Sequence, residues 1–285
     1  MKTKILVTGA NGQLGQTIKE LYNKNDDNIQ FVFASKKELD ITNFKELSNF
    51  FSLNKYNYCI NCAAYTNVEQ AEESIELAFK INAEAVKNLA KLCKKHKIIL
   101  IHISTDYVFD GTKEIPYLET DQTNPINQYG KSKLKGEQYI SNALKEHFII
   151  RTSWLYSNYG KNFVNTIVNK IKEKAKLKIT TAETGTPTSC IDLSYFLYAL
   201  IKNKSKNYGI YHFSNEGAAT WYDLAVEIEK SLNSQHKNKL DKVAGFKTKA
   251  KRPKYSVMSK NKIASNFDYK PNNWKKALAH FLETF

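Results

Sequence analysis

Arginine is almost missing from this chain of 285 residues: of its 43 basic side chains, only Arg151 and Arg252 carry a guanidinium. Nucleic-acid readers favour arginine for its planar, bidentate fork. The lysines behind the formal net charge of +15 are scattered rather than blocked. The charge therefore reads as a solvated basic surface that gives modest attraction to a small polyanion, with no nucleic-acid partner. Long apolar runs are missing too. The longest candidate, residues 98–103, is strand-sized and interrupted by His102, whereas a membrane-spanning helix needs ~20 apolar residues. No membrane partner is expected. Residues 1–8 run into a strand-like stretch without a signal-peptide pattern, so the expected location is cytoplasmic. Cysteine is scarce as well: Cys59, Cys62, Cys93 and Cys190. Cys59 and Cys62 form a C-x-x-C, but no second pair follows at zinc spacing. They read as structural, and the six histidines show no metal partner, so no metal is expected. General disorder is excluded by 42% apolar and 25% charged residues, close to the globular average.

What is present is a rhythm. Residues 4–8, 29–34, 58–61, 98–103 and 148–151 read as buried strands. Residues 12–23, 43–53, 74–95 and 128–143 carry apolar side chains at helical spacing. Strands alternating with helices imply parallel pairing and a doubly wound α/β sheet. After residue 155 the rhythm loosens. Helices are expected at 161–174, 193–202, 220–232 and 274–282, with Thr220 and Asp223 as a capping box. Strands are expected at 178–181 and 209–213. Residues 241–271 read as polar and irregular. The division implied is residues 1–155 as the sheet domain and 156–285 mainly as a smaller lobe, with the chain free to cross back.

Two motifs carry chemistry. Thr8-Gly9-Ala10-Asn11-Gly12-Gln13-Leu14-Gly15 follows a strand and opens a helix. Glycines there allow a tight turn and close approach to a pyrophosphate, which the helix N-terminus attracts. Residues 1–155 thus read as an NAD(P)-binding Rossmann domain. An NAD site usually carries an acid ~20 residues beyond the fingerprint. Here Ala34-Ser35-Lys36-Lys37 offers two lysines instead, so NADPH is expected, with NADH as the alternative. Asp40 and Ile41 stand ready to border the adenine. The second motif is Ser104-Thr105-Asp106 at a strand end, followed by Tyr129-Gly130-Lys131-Ser132-Lys133. Tyr129 and Lys133 share one helix face. An ammonium one turn away is expected to lower the phenol's pKa, and Thr105 can hold a substrate oxygen beside it.

With these residues the chain resembles the extended short-chain dehydrogenase/reductases, and among them the reductases of dTDP-activated 4-keto sugars. Residues 61–69 (Asn-Cys-Ala-Ala-Tyr-Thr-Asn-Val-Glu), 81–86, 104–111 and 151–156 carry the resemblance, with Arg252-Pro253 and Trp274 near the end. It implies hydride transfer from NAD(P)H to the C4 keto group of dTDP-4-dehydro-L-rhamnose, giving dTDP-L-rhamnose for polysaccharide synthesis. Tyr129 would be the proton donor, Lys133 would hold the nicotinamide ribose, and Asn82 would support the active-site water chain. Gly12, Gln13 and Leu14 would meet the pyrophosphate, and Ala63, Ala64 and Tyr65 would line the cofactor. Thr105, Asp106, Val108 and Trp154 would contact the sugar nucleotide, and Arg252 is the candidate for its diphosphate. The assembly would be a monomer or homodimer. Rival readings are a dehydratase or epimerase on the same scaffold and a non-catalytic NADP-binding regulatory subunit. A dehydratase would add a glutamate after Asp106, where Tyr107 stands; a regulatory subunit would lose the tyrosine–lysine pair.

Overall fold

The computed structural model describes residues 2–23, 28–232 and 240–283. The first half runs β1 (Thr3–Thr8), α1 (Gln13–Tyr22), β2 (Ile29–Ala34), α2 (Phe44–Leu53), β3 (Tyr58–Asn61), α3 (Val68–Ala71), α4 (Ile75–Phe79), α5 (Ala85–His96), β4 (Ile99–Thr105), α6 (Gln128–Ala143) and β5 (His147–Thr152). The second half adds β6 (Leu155–Tyr156), α7 (Phe163–Lys172), β7 (Leu177–Thr180), β8 (Thr184–Gly185), β9 (Thr188–Ser189), α8 (Cys190–Lys202), β10 (Gly209–His212), β11 (Ala219–Thr220), α9 (Trp221–Ser231), β12 (Leu240–Val243), α10 (Asn261–Phe267) and α11 (Trp274–Glu283).

Six parallel strands form the central sheet in the order β2-β1-β3-β4-β5-β10. Alternation along β1 explains why both faces are covered. Ile5 and Val7 pack on one side with Leu14 and Ile18 of α1 and Leu193, Phe196 and Leu197 of α8. Leu6 points the other way, into a cluster with Leu47 of α2, Leu89 of α5 and Ile140 of α6. Each such side chain contributes roughly 1.5–3 kcal/mol on burial. Because β10 closes one edge and α8 covers one face, the chain crosses back into the sheet after residue 155.

The smaller lobe is built from two-stranded pairs, β8 with β11, β7 with β12 and β6 with β9, over a separate apolar cluster from α7, α9 and α11. Thr220 and Asp223 close the expected capping box on α9.

Two expectations need correction. The helix expected over 74–95 is interrupted: α4 ends at Phe79, a π-helical turn covers Lys80–Glu84, and α5 follows. The wider turn directs Asn82 into the interior, fully buried. Residues 241–271 are not irregular throughout, since β12 and α10 flank and occupy that stretch. Their signals are weak because β12 has one neighbour and α10 buries only Ile263. Among the described residues no helix is long and apolar enough to cross a membrane.

Candidate active site

The strand order reverses between β1 and β3, and a crevice opens at the carboxyl ends of parallel strands where this happens. A cavity of about 550 Å³ lies there, lined by the residues that follow β1, β3, β4 and β5 and by α6.

Its floor is the glycine loop. Gly9 takes φ +66°, and a Cβ there would sit 2.6 Å from the Ala63 nitrogen. A Cβ on Gly15 would sit 2.6 Å from the Gly9 carbonyl oxygen. Both glycines are thus required by backbone packing, and Ala63 serves the site by closing on Gly9. Asn11, Gly12, Gln13, Leu14 and Gly15 face the cavity, as do Cys62 and Ala64 beyond β3. The N-terminus of α1 has no side-chain cap and no acid in its first turn, so its free N–H groups are open to an anion. The Gln13 side chain accepts a hydrogen bond from Asn162 Nδ2 at 3.0 Å, joining this loop to the smaller lobe.

Asn127 caps α6, its side chain accepting from the Gly130 N–H. That cap places Tyr129 and Lys133 against the end of β4. Burial pushes the Tyr129 phenol up to about 12, with the neighbouring Thr105 hydroxyl restraining the rise. The lowering expected from Lys133 is absent, because its amine is directed elsewhere: Nζ donates to the Ile103 carbonyl at 2.6 Å and lies 3.2 Å from His102 Nε2. Burial lowers the Lys133 pKa to about 8. Asn82 donates to Ser132 Oγ at 3.0 Å and to the Tyr65 carbonyl at 3.0 Å, and accepts from the Tyr65 N–H at 2.8 Å. It therefore clamps the chain after β3 to α6.

Thr105 donates to Asp106 Oδ1 at 3.0 Å. Burial raises Asp106 to about 6, and its Oδ2 is buried without a partner. Trp154 adopts φ +45°, a conformation a bulky residue holds only under constraint. Its ring stacks on Trp221 at 3.5 Å, and Gly185 leaves room for it. Arg252 Nη2 donates to Glu69 Oε1 at 2.9 Å, while its Nε has no partner. Trp154, Trp221 and Arg252 all face the cavity.

Other expected residues lie elsewhere. Val108 is fully buried beside Phe109, Tyr117 and Met258, so its side chain is core and does not contact the cavity. Ile41 is likewise core, packed in the cluster with Leu39 and Leu47. The Asp40 carboxylate accepts from the N–H and hydroxyl of Thr42, and Lys36 is exposed; neither lines the cavity. Sequence reasoning missed Trp221, His102 and the buried Glu137. Glu137 accepts from Ser104 Oγ at 2.5 Å and pairs with Arg151 at 2.7 Å. For His102 and Glu137 the signal available was a polar residue inside an apolar or helical run. Among the described residues no group of three or more His, Cys, Asp or Glu side chains is placed to hold a metal ion.

The family model described as RmlD substrate binding domain matches residues 3–285. A dTDP-4-dehydrorhamnose reductase of Aggregatibacter actinomycetemcomitans is 36% identical, over 96% of this chain and 97% of its own length. The Escherichia coli protein of that name is 33% identical, over 98% of this chain and 96% of its own. A crystal structure of the Bacillus anthracis dTDP-4-dehydrorhamnose reductase, in complex with NADP, superposes with a TM-score of 0.95 at 36% identity, covering 100% of both chains.

Proposed function

The chain belongs to the dTDP-4-dehydrorhamnose reductase family, and on that premise we propose that it reduces the C4 keto group of dTDP-4-dehydro-L-rhamnose with NADPH, Tyr129 giving the proton. One observation carries the assignment of roles: Tyr129, Thr105, Asp106 and the glycine loop meet in a single cavity. The residues present fit a dinucleotide. Gly9 and Gly15 hold the loop in a close backbone packing that no Cβ would allow, and the uncapped α1 N-terminus suits its pyrophosphate. Gly12, Gln13 and Leu14 would hold that group, Ala64 and the Tyr65 backbone would border the nicotinamide half, and Lys36 and Asp40 would serve the adenosine end. When bound, NADPH supplies the hydride.

The chain's own residues do the rest. A phenol near 12 stays protonated at neutral pH, the state a proton donor must start from. The Thr105 hydroxyl, which donates to Asp106 Oδ1 in the free chain, turns to donate toward the oxygen on which charge builds. Lys133 holds the cofactor ribose and Asn82 keeps the Tyr65 segment in place. Asp106, with an unpartnered buried oxygen, accepts from a sugar hydroxyl. Arg252 exchanges its Glu69 partner for the substrate diphosphate. Trp221 and Arg252 also border a side cavity of about 340 Å³ with Phe163 and Ile179, room for the nucleoside beyond the diphosphate. A cytoplasmic place suits both soluble reactants.

The test is consumption of NADPH, followed by loss of its near-ultraviolet absorbance, with the dTDP-4-keto sugar as substrate. Turnover that produces dTDP-L-rhamnose and falls about 10³-fold in Tyr129→Phe supports the assignment. Tight NADPH binding without turnover by the wild-type chain would sink it.

A further inference from the structure

The chain beyond β12 crosses between the two lobes. β12 belongs to the smaller lobe, where it pairs with β7. Residues 244–254 then pass to the sheet domain and are held there at three points. Glu69 of α3 accepts the Lys249 backbone N–H at 2.9 Å. Asn127, the cap of α6, donates to the Lys251 carbonyl at 2.9 Å. Pro253 lies so close to Gly111 that a Cβ on that glycine would sit 2.5 Å from the proline Cα. Ala250, within the same stretch, is fully buried. The backbone on both sides of Arg252 is therefore fixed, and its side chain is the part free to turn.

Glu69 is anchored by one oxygen and holds Arg252 with the other. Its Oε2 keeps the Lys249 N–H, and its Oε1 accepts from Arg252 Nη2 at 2.9 Å. Lys249 Nζ pairs separately with Glu73, so this end of the segment stays seated without help from Arg252. The guanidinium stands at the cavity wall. Its side chain is 28% exposed, and its Nε is buried without a partner. A carboxylate and a phosphate compete for the same fork of donors. A diphosphate entering the cavity must therefore draw the guanidinium away from a carboxylate that cannot follow, because the Lys249 N–H restrains it.

We propose that Glu69 is a built-in competitor for Arg252: a fixed carboxylate that occupies the guanidinium in the free chain and sets how strongly an anion must bind to take it. This rests on reading Arg252 as the ligand of the substrate diphosphate. The cost of parting the pair is the same for every anion, so it weighs most on those with nothing else to hold them. A nucleotide sugar also meets the aromatic and polar side chains of the cavity, and binds in spite of that cost. Inorganic phosphate or pyrophosphate has only the charge to hold it, and binds weakly. Glu69 acts through Arg252, as a positioning residue, and not on the reacting atoms. The pair is already parted in the substrate complex and stays parted in the transition state, so its effect falls on KM and leaves kcat alone.

The experiment is calorimetry on the full chain, giving Kd for dTDP and for inorganic pyrophosphate, alongside KM and kcat for the nucleotide sugar. Glu69→Gln keeps a carbonyl oxygen for the Lys249 N–H and gives up the charge that holds Arg252. It should bind both ligands about threefold to tenfold more tightly, with KM lower by a similar factor and kcat and NADPH affinity unchanged. Glu69→Ala should move the same way, which covers a glutamine variant that fails to fold. Glu73→Gln cuts only the Lys249 Nζ tether and should leave these values at wild type. The deciding comparison repeats Glu69→Gln in the Arg252→Ala background. There the gain should vanish, whereas a carboxylate that merely repels the diphosphate would still show it. Unchanged or weaker binding by Glu69→Gln, a gain that survives without Arg252, or an equal gain from Glu73→Gln overturns the proposal. Arg252→Ala alone tests the reading beneath it. Wild-type dTDP affinity in that variant would remove Arg252 from the diphosphate site and the proposal with it. Weakened affinity there, with Glu69→Gln unmoved, would remove Glu69 only.

Discussion

Two cavities lie at opposite ends of the same strands. At the carboxyl end is the site of about 550 Å³; at the amino end is a larger one of about 860 Å³, bordered by Lys2, Lys4, Lys55, Lys97, Lys204 and Lys206 with Tyr56, Tyr58 and Tyr208. Size and charge would select the wrong one. Helix ends explain the contrast. α5 and α8 finish at the amino end, with Lys94, Lys95 and Lys202 in their last turns and Lys97 and Lys204 just beyond. Cations gather at the negative ends of helices, so these lysines answer the helices rather than a ligand. At the carboxyl end the arrangement is reversed: α1 opens there without a cap. Asp106 Oδ2, Thr152 Oγ1 and Arg252 Nε, all on residues facing that cavity, are buried with no partner. Unsatisfied buried polar atoms cost about 1–3 kcal/mol each, and a chain retains them where something else will satisfy them.

The sharpest test of this contrast is Tyr129→Phe. It removes one hydroxyl from a packed ring, so the fold and NADPH affinity should hold while kcat falls about 10³-fold. Equal losses of binding and turnover would mean that the ring, not its proton, is what the site uses.

Asp106 gives the next largest effect, and its sign is informative. Its pKa is raised from 3.8 to about 6 in the folded chain, so the fold holds this proton more tightly than the unfolded chain does. The stability that goes with the protonated acid is complete below about pH 4 and is lost as pH rises through about 6. At neutral pH the ionised carboxylate therefore costs roughly 2–3 kcal/mol. Asp106→Asn should raise Tm at pH 7.5, leave it near wild type at pH 4, and lower kcat/KM. No gain in Tm at neutral pH would contradict the idea of stability given up for the site. Arg252→Ala follows with a smaller effect. It should raise KM for the nucleotide sugar about tenfold to a hundredfold, with kcat and NADPH affinity close to wild type. A fall confined to kcat would place Arg252 at the reacting centre instead.

The cofactor half was readable because its parts are contiguous. β1, the glycine loop and α1 follow one another in residues 3–22, and Tyr129 and Lys133 are one helical turn apart. What sequence could not show was made by tertiary contact. Trp221 matters because Trp154 stacks on it from another segment of the chain. Asn82 was marked, but not the π-helical turn that aims it, since one added residue leaves the apolar spacing of Leu77, Ile81 and Val86 readable as an ordinary helix. Val108 was misplaced for the opposite reason. It follows Asp106 closely, yet the short 3₁₀ turn Asp106–Val108 swings its side chain into the core. The Lys133 amine is directed otherwise than its spacing suggested, because neither spacing nor pattern reveals His102 and the Ile103 carbonyl beneath it.

The smallest expected effect bears hardest on the contrast between the two ends. Lys97 and Lys204 both take left-handed conformations, φ 57° and 47°, at positions after a helix where glycine is usual. Both are exposed, so their attraction to the helix ends is screened by solvent and salt. Reversing the charge, Lys97→Glu with Lys204→Glu, should cost a few tenths of a kcal/mol to about 1 kcal/mol per site at low ionic strength, and less as salt is added. Glycine at either position relieves the strained φ and gives up the charge, two changes of similar size and opposite sign, so its net effect on Tm should be close to zero. NADPH affinity and turnover should be untouched in all of these variants. If charge reversal at the amino end instead weakened NADPH binding, the field of those lysines would have to reach through the sheet, and the division between an end that serves the helices and an end that serves the ligand would fail.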